Sequence, residues 1–175
     1  MLRLRRGSVQ LVPYDPAWAR LFEAERARLR HALGSDALDI QHIGSTAVPS
    51  LAAKPLLDLG IAVADAPAVA ACVSRITVLG YTYRGYRGAN QGHFFDLGPD
   101  RSLRHYLHLL LIHEPGWQNY LRFRDYLRAH PAARAAYQQL KQDLATQYAG
   151  DRAAYSAAKT TFVEHILAAD TSVEL

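Results

Sequence analysis

A glycine followed by two hydroxyls, Gly44-Ser45-Thr46, and a carboxylate on the next apolar run, Asp58, form the most informative spacing in this chain. Gly44 lets a phosphate approach the backbone. A helix starting after Ser45 would turn free N–H groups toward an anion, with the Ser45 and Thr46 hydroxyls adding bonds. A carboxylate on the adjacent strand could then hold Mg²⁺ against that phosphate. The same residues also read as ordinary structure, because Gly-Ser-Thr is a common turn and helix cap and Asp58 could merely cap or pair. Two familiar phosphate motifs are absent: Lys54 is followed by Pro55 with no GxxxxGK[ST] pattern, and GxGxxG is missing.

Other polar residues extend the candidate site. His105 and His108 are three apart on an apolar run, so on a strand they face opposite sides and do not converge on one ion. Tyr106 and His108 share a face. If that strand neighbours the Asp58 strand, His108 lies near Asp58 and could bind phosphate or act as an acid/base, against the plainer reading of a hydrogen-bonded structural histidine. His42 either braces the Gly-Ser turn or joins the phosphate set. Lys54 could pair with Asp58, bind phosphate or be solvated. Arg124 and Arg128 stand four apart on one helical face, either as a phosphate clamp toward the cleft or as a surface pair salt-bridged through Asp125. Lys141, Arg152 and Lys159 read as solvated. Tyr81, Tyr83 and Tyr86 alternate beside Arg84 and Arg87, as base-stacking residues or as edge-strand packing. Cys72 reads as a small buried hydrophobe.

The elements that must position these groups follow from periodicity. Residues 8–13 read as a short strand. Asp15-Pro16 opens a helix whose stripe runs through Trp18, Leu21, Phe22, Glu25, Leu29 and Leu33 to a stop at Gly34. Residues 37–44 alternate as a strand, 45–55 form a loop with room for a short helix, and 56–64 suit a central strand buried on both faces. A helix over 66–80, a Tyr/Gly-rich strand and turn over 81–92, and strands over 93–98 and 104–113 joined by PDRS follow. From 114 onward the period is helical: Trp117 to His130, Ala132 to Tyr148, and a third stripe through Tyr155, Phe162, Val163 and Ile166 after Gly150-Asp151. The tail DTSVEL reads as frayed.

Length and composition bound the answer. The chain has 175 residues, half of them hydrophobic, which suits one domain and excludes intrinsic disorder. A single cysteine excludes an intramolecular disulfide and multi-cysteine metal sites. No apolar run approaches the ~20 residues of a transmembrane helix, and the basic start is a poor signal peptide, so a cytoplasmic protein with no membrane partner is expected. The net charge of +4 is too small to argue for nucleic acid. The basic residues comprise 17 Arg and only 3 Lys, an arginine excess that base composition of the genome explains most simply.

HIGSTAVPSLAAKPLLDL at 42–59 resembles the signature of the GrpB family, part of the nucleotidyltransferase superfamily with its polymerase-beta-like fold. VPYDPAWARLFEAE resembles the family's start and LHLLL at 107–111 its histidine-bearing strand. YLRFRDYLRAHPAARAAYQQLKQDLA and YSAAKTTFVEHIL resemble its C-terminal helices. A GrpB-like domain also occurs fused to dephospho-CoA kinase.

The resemblance implies an α+β fold spanning 1–175, a mixed sheet portion over 1–113 flanked by helices, and a C-terminal helical block over 114–170. In the superfamily a Gly-Ser turn binds nucleotide phosphate, and an Asp-x-Asp pair plus a third carboxylate bind two metals. Gly44, Ser45 and Asp58 match; the second acid position is Gly60, and the strand expected to carry the third holds His105 and His108 instead. His93 and Asp96 stand where a basic residue is frequent. The expected site is Asp58 and His108 as catalytic groups, Asp58 as metal ligand, and Gly44, Ser45, Thr46, Lys54, His42, Arg124 and Arg128 around a nucleotide or phosphorylated small molecule, with Mg²⁺ carried in by the nucleotide. The alternative is a nonenzymatic accessory module that acts through a protein partner.

Overall fold

The computed structural model describes residues 2–99 and 102–171. Five strands form one mixed sheet in the order β1 (Asp39–Ile43), β2 (Leu57–Val63), β5 (His105–Leu111), β4 (His93–Leu97), β3 (Thr82–Tyr86). Only β2 and β5 run parallel; the other neighbours are antiparallel. Central β2 is apolar at nearly every position and buried on both faces, as its sequence requires.

One face of the sheet carries α1 (Ala17–Leu33) and α2 (Ala66–Val78), which close a core of Trp18, Phe22, Leu29, Cys72 and Ile76 over Ile40, Leu59, Ile61, Phe95 and Leu107. Asp15 accepts a hydrogen bond from the Ala17 N–H at 2.9 Å, and Gly34 at φ +60° stops the helix. Glu25 sits buried in the α1 stripe because Arg28 pairs with it at 2.9 Å and the Tyr81 hydroxyl donates to it at 2.9 Å. Asp65 caps α2 through the Ala68 N–H.

The second face carries α3 (Pro115–Ala129), whose Trp117 packs on Ala62 and Leu110. Beyond it lie α4 (Pro131–Gln147), α5 (Arg152–Ala157) and α6 (Thr160–Thr171). Phe123, Leu127, Tyr137 and Phe162 join α3, α4 and α6 to Val48 and Leu51 of the loop after β1.

Two expectations differ from the structure. Residues 8–13 form no strand, only an isolated bridge between Val12 and Ala53. Pro13 lacks the donor a ladder needs, and Val9 turns away to pack on Leu144 and Tyr155. The last helical stripe is two helices, broken at Ala158-Lys159. The PDRS turn and the DTSVEL tail fall partly outside the described residues.

Candidate functional site

The register of the sheet sets the site. Asp58 lies opposite Ile43 of β1 and Tyr106 of β5, and His108 lies opposite Gly60, so Asp58, Tyr106 and His108 all project from the second face. Gly44 follows β1 at φ +69°, and a Cβ built there would stand 2.6 Å from Asp58 Oδ2. Glycine is therefore required twice over at this position, for the left-handed backbone and for the approach of the carboxylate. Ser45 opens a short 3₁₀ turn, Ser45–Ala47, beside Asp58.

All three lysines of the chain gather here. Lys141 of α4 is 1% exposed, and its ammonium donates to Ser45 Oγ at 3.3 Å and to the Ala52 carbonyl. Lys54, at the entrance to β2, stands 5.6 Å from the centre of the Tyr106 ring. Arg152, at the start of α5, stacks on the same ring at 4.6 Å and donates to the Tyr106 hydroxyl. Lys159 lies 4.4 Å from the Tyr155 ring and feels Lys54, Asp58 and Arg152 electrostatically.

Among the described residues, none of these lysines makes an ion pair within 4.0 Å. Burial, then Lys159 and Lys54, pulls Lys141 down to about 7. Burial, then Lys54, pulls Lys159 down to about 7, with Asp58 opposing. Burial lowers Lys54 to about 8, again with Asp58 opposing.

His108 is buried, and its Nδ1 lies 2.9 Å from the Gln91 carbonyl, which can only accept. That bond puts the proton on Nδ1 and leaves Nε2 as the acceptor. Burial holds the ring neutral, with the Gln91 bond and Asp58 opposing. The Tyr120 hydroxyl lies 3.2 Å from the same Nδ1. His105 points to the other face, against Tyr81, as the three-residue spacing predicts.

Several expected residues stand apart from Asp58. His42 projects from the first face, stacks on Phe22 at 4.7 Å, and its Nε2 lies 2.9 Å from Thr46 Oγ1. Burial, then Arg128 and Arg124, drops His42 to about 3. A neutral ring engaged with the buried Thr46 hydroxyl braces the turn. Arg124 donates to Gln41 Oε1 at 2.8 Å and the His42 carbonyl at 3.0 Å, and pairs with Asp125 at 2.8 Å. Arg128 donates twice to the Ala47 carbonyl, at 2.8 and 3.0 Å. These arginines clamp the free edge of β1 and the turn. With Arg20 and Arg26 they line a separate open cavity of about 590 Å³. Asp96 is fully buried between Arg6 and Arg84, at 2.8 and 2.9 Å, as a structural ion pair.

The residues do not fit a two-metal centre. A Cβ at Gly60 would stand 3.2 Å from Trp117 Cζ3 and 3.3 Å from Ile43 Cγ2, so the space for a second acid is filled. No three His, Cys, Asp or Glu side chains among the described residues gather to hold a metal ion. The cations around Asp58 add repulsion.

Sequence reasoning missed Lys141, Lys159 and Arg152, and for Lys141 a signal was present. Lys141 falls on the same helical stripe as Tyr137 and Leu144, where a solvated lysine does not belong. In a chain with 17 Arg, the few lysine positions also stood out.

The family model described as "GrpB protein" matches residues 8–169. The UPF0157 protein YqkA of Bacillus subtilis is 36% identical over 140 residues, covering 80% of this chain and 40% of that protein. Glutamate-rich protein GrpB of Alkalihalophilus pseudofirmus is 34% identical, covering 95% and 98%. A dephospho-CoA kinase of Mycolicibacterium paratuberculosis is 31% identical, with this chain spanning 44% of it. The crystal structure of GrpB from Enterococcus faecalis superposes with a TM-score of 0.84 at 31% identity, covering 94% of this chain and 99% of that one. The Cid1 poly(U) polymerase bound to MgATP matches in fold, with a TM-score of 0.53 at 14% identity over 77% of this chain and 44% of that one. The α+β, nucleotidyltransferase-type fold expected from the sequence holds. No helix among the described residues is long and apolar enough to cross a membrane.

Proposed function

The chain belongs to the GrpB family, and from that premise we propose that it binds a nucleotide or phosphorylated small molecule through its phosphates in the Gly44–Ser45–Asp58 cleft. The observation that supports this is the convergence of Lys54, Lys141 and Lys159 on Ser45, Asp58 and Tyr106. Buried and half-buried ammonium groups without acid partners cost stability, and an anionic ligand supplies what they lack. Gly44 keeps side-chain bulk out of the turn, and Ser45 adds a hydroxyl. Arg152 stacks on Tyr106 beside Asp58.

Binding, rather than turnover, is the activity this site carries. Asp58 is the lone match to the superfamily's carboxylates, so any Mg²⁺ arriving on a nucleotide would meet one protein acid. Where a hydroxyl is brought to the bound phosphate, neutral His108 is the group that could take its proton. The accessory-module reading gains support from the dephospho-CoA kinase relative, of which this chain spans less than half. A cytoplasmic setting suits either reading.

Calorimetric titration of nucleoside triphosphates and inorganic tripolyphosphate into wild type and Lys141→Met tests the proposal. We expect saturable binding by wild type and at least an order-of-magnitude loss in Lys141→Met. A chain that binds no phosphate compound under any condition would refute it and favour the accessory module.

A further inference from the structure

We propose that phosphate is held in this cleft by the ammonium groups of Lys54, Lys141 and Lys159 without a divalent metal, and that Asp58 opposes the anion instead of bridging to it through Mg²⁺. The inference rests on the reading of the cleft as a phosphate site. Its basis is a disagreement between the fold and the residues. The place for a second acid beside Asp58 is filled by Trp117 and Ile43. The strand next to β2 presents Tyr106 and His108 where another acid would be needed.

Cations stand in their stead. Lys141 reaches Ser45 from α4, and Lys54 and Arg152 both lie against the ring of Tyr106, which pairs with Asp58 across the sheet. Lys159, in the break before α6, lies within the electrostatic range of Lys54, Asp58 and Arg152. These cations come from the loop before β2, from α4, from α5 and from the break before α6, so the fold has to assemble them. An Mg²⁺ ion placed among them would be repelled by Arg152 and by whichever of the lysines are charged, and attracted by one carboxylate. A polyphosphate meets the opposite balance.

Inorganic tripolyphosphate is titrated into the whole chain in excess EDTA and again in millimolar Mg²⁺, with wild type, Lys159→Met and near-isosteric Asp58→Asn. Wild type is expected to bind in EDTA at least as tightly as in Mg²⁺, because Mg²⁺ neutralises the ligand the lysines recognise. Lys159→Met should weaken metal-free binding about tenfold, and Asp58→Asn should tighten it severalfold by removing a repelling charge. Binding that requires Mg²⁺, or that Asp58→Asn weakens, overturns the metal-free inference and leaves the phosphate site standing. Binding in neither solution overturns the phosphate site itself.

Discussion

Raising the pH should empty the cleft, and the slope of that loss measures how many lysines hold the ligand. Lys141 and Lys159 are both pulled down to about 7, burial being the main cause for each. The groups facing Lys141 are Ser45, Tyr137, Lys54 and Lys159; those facing Lys159 are Lys54, Asp58, Arg152 and Tyr155. A bound phosphate favours the charged form of each lysine, so binding above pH 7 must take up protons. At pH 7 each lysine is about half charged, and at pH 9 about one part in a hundred. Affinity should therefore fall by about tenfold per pH unit for each lysine the ligand needs. Phosphate's own second ionisation, near pH 6, is nearly complete across this window and does not oppose the trend. Calorimetry at pH 7, 8 and 9, in buffers of contrasting ionisation enthalpy, counts the protons directly. We expect uptake of slightly more than two protons at pH 8, about nine-tenths each from Lys141 and Lys159 and about half from Lys54, reduced by about one in Lys141→Met. Affinity that is flat with pH, with heats independent of the buffer, would refute the placement of the lysines at the ligand.

Three substitutions separate binding from scaffold. Lys159→Met should raise the melting temperature of the ligand-free chain by about 2–4 °C, because it removes a partly buried cation crowded by Lys54, and should lower phosphate affinity in the same protein; a melt and a titration on one preparation show both. Gly44→Ala should cost about 1–3 kcal/mol in urea denaturation, from its φ of +69° and the 2.6 Å approach to Asp58. Arg128→Ala should cost about 1 kcal/mol by stripping donors from the Ala47 carbonyl, and should weaken phosphate binding through the turn while leaving the proton count unchanged.

The turn and the acid were legible in sequence because both are local. Gly44-Ser45 follows an alternating strand and Asp58 sits inside the next apolar run, so periodicity puts them on consecutive strands, which the β1–β2 pairing then brings together. His108 was legible for the same reason, once β5 was taken to neighbour β2. What could not be read was which face each side chain would choose when two elements meet. Arg124 and Arg128 are spaced as a clamp, and they are one, but they grip the carbonyls of His42 and Ala47 from the free edge of β1. An edge strand has unpaired backbone groups, and that local demand outcompetes a distant ligand. His42 belongs to the α1 face because alternation sends it there with Ile40, away from Asp58. The lysines escaped because their meeting depends on how three helices fold back over the second face, which no window of sequence contains.

The same packing links the lost acids to the gained lysines. Trp117 of α3 fills the space over Gly60 and anchors the C-terminal helices close to the sheet. That close approach is what lets α4 carry Lys141 down to Ser45 and lets the start of α6 bring Lys159 toward Asp58. A second carboxylate at position 60 would need the Trp117 ring to withdraw, and with it the helices that bear the lysines. The two ways of holding phosphate, through metal ions on acids or through ammonium groups directly, thus exclude each other in this geometry. Without an anion the cleft relieves its charge by letting Lys141 and Lys159 give up protons near neutrality. With one, the protons return, so the pocket acquires its full positive charge only when there is something to bind.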